Sequence, residues 1–432
     1  MRGIGKRLAG AGVVAALALA TACSGNGTTT VKSAANGKSA RSASHGKPAS
    51  ASASPNGPTV TITPANGSKN ADPSAGITVT AARGTLKNVS VRTSGDPVSG
   101  ALSQGDTVWH SQWALGVSRS YTVTATASGA GGGTVTTTST FRTLSPSQRL
   151  TTQIFQGYQQ TYGVGMPIIL AFSQPVTNKA AVERSLQVAT SKPVIGAWAW
   201  DGSQTLDFRP RDYWPAGTTV SFTGHLDGVQ GAPGVYGYYT LTQTFRIGAS
   251  LIAIASPKTH RTQVYVGGKL RYNWPISTGR PGDDTPNGSY LTIEKENPVE
   301  MKGPGYDLKV PWSVRFTFSG DYYHDAYWSV GQQGFQNVSH GCVNLSPADA
   351  ETYYKLAVPG DPITVTGSPR GGTWDNGWTE WFLTWQQYLK GSALHEAVEA
   401  GPNGSTFVDP ATLPADTAKA PLQTSPANNA AA

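Results

Sequence analysis

Cysteine is nearly absent from this chain. There are two in 432 residues, Cys23 and Cys342, which excludes a scaffold built on disulfides. The two are not expected to pair, because Cys23 closes an apolar N-terminal stretch and Cys342 lies within a patterned, foldable region. Charged residues are also sparse, at 13%. The first fifty residues hold no acidic side chain and seven basic ones (Arg2, Lys6, Arg7, Lys32, Lys38, Arg41, Lys47), so the formal charge of +8 falls to +1 over the rest of the chain. A near-neutral body lacks the basic footprint of a nucleic-acid-binding protein, and no nucleic-acid partner is expected. Long hydrophobic runs are missing at the N-terminus as well. Residues 8–20 form an apolar stretch of 13 residues, too short for a helix to cross a hydrocarbon core of ~30 Å.

What is present there is a basic end, a short apolar segment and Ala20-Thr21-Ala22-Cys23, the three parts of a secretory signal. Small residues before a cysteine read as a bacterial lipobox, in which residues 1–22 are removed and Cys23 is acylated. The alternative is an ordinary signal cleaved after Ala22, leaving a free thiol. Two or more acyl chains, at ~0.8 kcal/mol per buried CH2, would hold the protein on a membrane.

Residues 23–58 are mostly Ser, Ala, Gly, Thr, Asn and Lys, and read as a flexible tether, since they cannot bury enough surface to offset their ordering entropy. Alternating segments then begin at Thr59-Val60-Thr61-Ile62 and recur with turn-rich breaks, predicting an immunoglobulin-like sandwich over 59–146. A second such unit is expected over 147–248, with strands at 168–172, 198–200 and 206–208 and a short helix near 180–186. Both units end alike, at Thr140-Phe141-Arg142 and Thr244-Phe245-Arg246. Neither carries a catalytic cluster, and His110 and His225 read as structural or surface residues. From Leu251 the texture changes to a β-rich domain over 249–367. It contains one helix, opened by Ser346 as N-cap and Pro347 at the first helical position. Residues 368–400 hold Trp374, Trp378, Trp381 and Trp385, and are expected to form a lobe packed on that domain, with sugar stacking as the alternative. Residues 401–432 read as disordered. The expected fold is mainly β: two immunoglobulin-like sandwiches, then a β-rich catalytic domain with a short helix and a tryptophan-rich C-terminal lobe.

The chemistry points to Cys342. A catalytic cysteine requires a proton acceptor and donors for a developing oxyanion. His324 and His340 are candidate bases. Gly341 lets the backbone approach a carbonyl and aim its N–H there, and Asn344 lies on the same strand face as Cys342. His340, Cys342 and His324 also number three potential zinc ligands, but no second cysteine lies nearby, so neither a metal nor another cofactor is expected.

A histidine at 324, the spacer 325–338 and Ser339-His340-Gly341-Cys342-Val343-Asn344, with Ile276-Ser277-Thr278-Gly279 and Thr285-Pro286-Asn287-Gly288 upstream, resemble the YkuD-type catalytic domain of the L,D-transpeptidases. The domain order resembles actinobacterial lipoprotein members of that family. The resemblance implies 3→3 cross-linking of peptidoglycan, through a thioester formed when a donor tetrapeptide stem loses D-Ala. It implies Cys342 as nucleophile and His324 as base, held by the backbone carbonyl of Asp325, whose added carboxylate would raise the His324 pKa. His340 and Gly341 would shape the oxyanion pocket. Tyr306 would be the flap tyrosine, and Ser319, Gly320 and Asn344 would contact substrate. The implied partners are donor and acceptor stem peptides, carbapenems that acylate Cys342, and a membrane reached through lipid on Cys23. The implied place is the outer face of the cytoplasmic membrane, facing the cell wall. An L,D-carboxypeptidase using the same acyl-enzyme, and a non-catalytic wall-binding lipoprotein, remain as alternatives.

Overall fold

The computed structural model describes residues 57–95, 97–303 and 306–414. The expected signal segment 1–22, Cys23, the tether up to residue 56 and the tail from 415 lie outside the described residues.

Period-two patterning builds the first unit. In Ser120–Ser128, Tyr121, Val123, Ala125 and Ala127 are buried, while Thr122, Thr124 and Thr126 face outward and meet Thr140, Thr138 and Thr136 across the pair at 2.9–3.3 Å. This strand lies between Thr85–Thr93 and Thr134–Arg142. A second sheet runs Thr59–Thr63, Thr78–Ala82, Val108–Ser111, Gly100–Ser103. Ile77, Val79, Trp109, Val123 and Phe141 fill the space between them, as in an aligned sandwich.

The second unit is also a sandwich. One sheet, Thr161–Tyr162, Leu241–Ile247, Thr219–Gly224 and Leu186–Thr190, packs against a six-stranded sheet around Trp198, Phe208, Phe222 and Phe245. Two strands of the larger sheet come from the far end of the chain. Ala397–Gly401 pairs antiparallel with Val194–Asp201, and Gly404–Val408 pairs with Ala397–Gly401. Residues 401–414 are therefore ordered, contrary to the expected disorder from 401, because this hairpin covers what would otherwise be an open sheet edge.

The tryptophan-rich lobe is likewise corrected. Trp378 and Trp381 are buried in the core of the second sandwich rather than that of the catalytic domain. Trp381 donates its Nε1–H to Gly165 O at 2.8 Å. The Arg209 guanidinium lies between the rings of Trp381 and Tyr388, 4.4 and 4.6 Å from their centroids. Phe382 faces the other way, edge-on to Tyr290 of the catalytic domain at 5.1 Å. The lobe thus bridges the two domains, and burial removes both Trp378 and Trp381 from any sugar-stacking role. A direct backbone junction runs beside it: Gly163 N–H and Gly165 N–H bond to Pro359 O and Gly360 O at 2.8 and 3.0 Å. A side chain at Gly163 would strike the Asp361 backbone.

In the catalytic domain, a five-stranded sheet (Lys269–Pro275, Arg261–Val266, Leu251–Ser256, Pro362–Val365, Gly288–Leu291) and a four-stranded sheet (Glu294–Glu296, Ser313–Arg315, Tyr322–Asp325, Val343–Leu345) share one core. The helix Pro347–Leu356 is capped by Ser346 as expected, its Oγ accepting from Asp349 N–H. The helix buries Ala350 and Tyr353 against that core. A two-stranded hairpin, Val299–Gly303 with Tyr306–Val310, projects beside the four-stranded sheet.

Candidate active site

Two parallel strands carry the site. Tyr323 lies opposite Val343 and His324 opposite Asn344. Tyr323, Val343 and Leu345 enter the core, so alternation sends His324 and Asn344 to the other face. Cys342, two residues before Asn344, comes to that same face. Its half-buried thiol packs against a small cluster formed by Tyr322 with Val299 and Val310 of the projecting hairpin.

His324 is 3% exposed, and its Nδ1 lies 2.7 Å from Asp325 O. A carbonyl only accepts, so the proton sits on Nδ1 and Nε2 keeps its lone pair. The ring stacks on Trp328 with centroids 5.9 Å apart. Burial pushes its pKa down to about 4, opposed by the Asp325 carbonyl. The Asp325 carboxylate does not raise it as expected. Adjacent residues of a strand face opposite ways, and this carboxyl is buried on its own side, with Oδ1 unpartnered and its pKa raised by desolvation.

The Cys342 S–H points to Gly320 O at 3.8 Å. Burial, and secondarily the nearby Asp321 carboxylate, push its pKa up to about 12. Both shifts favour a neutral thiol beside a neutral imidazole.

Gly341 sits at φ +131°, with the Asp321 Oδ1 occupying the space a Cβ would need. Its N–H donates to Ser339 Oγ at 3.2 Å, and the Ser339 hydroxyl donates to Cys342 O at 2.6 Å. The Gly341 N–H is therefore spent within the loop rather than aimed at a substrate carbonyl, and what the glycine contributes is the absence of a side chain. The upstream motifs brace this loop: Thr285 Oγ1 donates to Gly341 O and accepts from Gly279 N–H, while Ser277 and Gly279 bridge to Asn344 and Ser339.

Tyr306 lies over His340, which is solvent-exposed, with ring centroids 5.1 Å apart. Ser319 and Gly320 form the turn before Tyr322, and Gly320 provides the carbonyl at the sulfur. Asn344 is 2% exposed and donates from Nδ2 to Ser329 Oγ at 2.9 Å, which commits one amide hydrogen to the 326–333 loop. Sequence reasoning missed Asp321, Trp328 and Asn376. Asp321 stands beside the expected Ser319-Gly320 and Trp328 four residues after His324, so adjacency could have flagged both. Nothing local marks Asn376, which bonds to Ser319 from the C-terminal lobe. Among the described residues no group of three or more His, Cys, Asp and Glu side chains converges as a metal site.

Residues 250–365 match the family model of the L,D-transpeptidase catalytic domain, and residues 68–230 that of a bacterial Ig domain. The chain is 34% identical over 357 residues to L,D-transpeptidase 5 of Mycobacterium tuberculosis, covering 79% of this chain and 78% of that one. It is 32% identical over 349 residues to L,D-transpeptidase 2 of the same organism, covering 78% and 85%. A solved L,D-transpeptidase in complex with imipenem is 36% identical over 51% of this chain and 100% of its own, with a TM-score of 0.44. The chain belongs to the L,D-transpeptidase family.

Proposed function

We propose that this chain forms 3→3 peptidoglycan cross-links through a thioester on Cys342. The observation that carries the reading is the His324 tautomer. With Nδ1–H fixed on the Asp325 carbonyl, Nε2 is left as a base on the face that Cys342 shares.

The first half-reaction starts from the neutral thiol. Its proton passes to His324 Nε2 as sulfur attacks the carbonyl between the third residue and terminal D-Ala of a donor stem. The C–N bond breaks, the proton goes to the departing D-Ala amine, and a thioester remains. In the second half an amine on an acceptor stem attacks the thioester carbonyl, His324 takes its proton, the C–S bond breaks as the new amide forms, and that proton returns to sulfur to restore the thiol. Burial raises the thiol and lowers the imidazole, which favours the neutral pair over a resting ion pair, so in this reading the proton leaves sulfur as the C–S bond forms. The Cys342 N–H and the exposed His340 line the oxyanion side, with room kept by Gly341. Tyr306 covers the bound stem, and Ser319 and Gly320 flank it. Carbapenems, as strained acyl donors, acylate the same sulfur. Lipid on Cys23 anchors the protein to the outer face of the cytoplasmic membrane.

The test is product analysis on a tetrapeptide donor with and without an amine acceptor, beside intact mass after exposure to a carbapenem. Cross-linked dimer and a single adduct, lost in Cys342→Ala, are expected. Tripeptide alone would reassign the enzyme as a hydrolase, and no adduct would leave a binding lipoprotein. Cys23→Ala is expected to release the chain from membranes, and persistent association would count against the anchor.

A further inference from the structure

We propose that the C-terminal lobe is a working part of the acyl-transfer centre and that Asn376 is the positioning residue through which it acts. The inference rests on the reading of Cys342 as nucleophile. Asn376 grips Ser319 with both ends of its amide: Oδ1 accepts from Ser319 N–H at 2.7 Å, and Nδ2 donates to Ser319 Oγ at 2.9 Å. The two residues are 57 apart in the chain. The next residue, Gly377, has φ +139°, and a Cβ there would press on Phe316 O at 3.0 Å, so the lobe lies against the backbone of this turn.

The turn is braced from within, Gly320 N–H reaching Thr317 O at 3.3 Å, Phe316 N–H reaching Asp321 O at 3.0 Å and Thr317 Oγ1 donating to Asp321 Oδ2 at 2.7 Å, and Asn376 adds a hold from outside it. Arg315 holds its entering limb by donating to Thr317 O and Phe318 O at 2.9 and 2.7 Å. Ser319 lies beyond that limb and is exposed. Its hydroxyl donates toward Asp321 Oδ2 at 3.1 Å and so takes the Asn376 amide hydrogen on a lone pair. The next carbonyl, Gly320 O, faces the Cys342 sulfur, and Asp321 abuts Gly341. Two bonds from Asn376 therefore hold the residue next to Gly320, whose carbonyl faces the nucleophile. The same lobe buries Trp378 and Trp381 in the second sandwich, so Asn376 projects from a rigid base.

The test uses the full chain as Asn376→Ala, Ser319→Ala and the double variant, read by donor turnover and by Cys342 alkylation with iodoacetamide, with thermal unfolding alongside. Asn376→Ala is expected to lose about tenfold in kcat with an unchanged unfolding midpoint. Ser319→Ala keeps the N–H that Asn376 Oδ1 accepts, so the double variant is expected to lose more than Ser319→Ala but less than the product of the two single losses, because the side-chain bond is shared. Wild-type kcat in Asn376→Ala, or losses that multiply in the double variant, overturn the inference. Should Asn376→Ala fail to fold, Asn376→Asp decides. It keeps an acceptor for Ser319 N–H but replaces the donor with a charged oxygen facing the Ser319 hydroxyl that already donates to Asp321, so a kcat below wild type is expected and wild-type kcat overturns the idea. A wild type that never turns over the donor counts against acyl transfer alone. Alkylation needs no donor, and there Asn376→Ala is expected to react about threefold faster as the Gly320 carbonyl drifts from sulfur. Equal rates overturn the inference.

Discussion

His324 is held by its own successor: the imidazole Nδ1–H reaches the Asp325 carbonyl at 2.7 Å, while the Asp325 carboxyl is buried on the other face of the strand. An imidazole fixed in this way takes its tautomer from the backbone, with the Trp328 ring stacked beside it. The cost of burying it appears in its titration.

Stability should therefore fall in mild acid. The folded pKa of about 4 lies below the ordinary 6.5, so an unfolded chain takes up the proton first as pH drops. The loss is absent above pH 6.5 and grows to at most about 3 kcal/mol near pH 4. His324→Gln, neutral throughout, should flatten this part of the pH dependence. Unfolding midpoints for both proteins at pH 7.5 and 5.0 give the comparison, and identical slopes would contradict a buried neutral imidazole.

Cys342 should alkylate slowly at neutral pH, and its rate should still climb by about tenfold per pH unit as pH 9 is approached, because only the thiolate reacts. Asp321→Asn removes a charge that holds the proton on sulfur and should shift the profile to lower pH. A plateau already reached near pH 7 would reveal a resting ion pair instead.

Gly341→Ala should stop turnover and also reduce stability, by roughly 1–3 kcal/mol for a left-handed φ and a side chain driven into Asp321. Donor turnover and chemical denaturation measure the two effects separately. A fully active alanine variant would mean that the loop relaxes away from the carboxylate.

Trp381→Ala should cost about 3–5 kcal/mol. It empties part of the second sandwich's core, breaks the bond to Gly165 O, and strips one aromatic face from the buried Arg209. Denaturant unfolding followed by far-UV circular dichroism would show it. A loss under 1 kcal/mol would place the lobe's anchorage elsewhere.

The strand pattern, the helix cap at Ser346 and the histidine–cysteine frame were all legible because each is written in neighbouring residues. Tyr121 to Ala127 alternate, Ser346 precedes Pro347, and Ser339 to Asn344 are contiguous. The hairpin 397–408 was not legible. Ala-Val-Glu-Ala-Gly has little β signature, and its partner at 194–196 lies two hundred residues upstream, so tertiary pairing overrode weak local preference. The core address of Trp378 and Trp381 was hidden for the same reason. Hydrogen bonds decided the rest. The committed N–H of Gly341 and the grip of Asn376 are set by partners that spacing does not reveal.

The late pairing of Val194–Gly196 with residues near 400 has a consequence for biosynthesis. Ribosomes deliver the middle sandwich well before its last two strands, and at ~5–20 residues per second the gap lasts roughly 10–40 s. Throughout that interval the nascent protein presents a bare strand margin able to zip onto a neighbour, and only the final hairpin closes it.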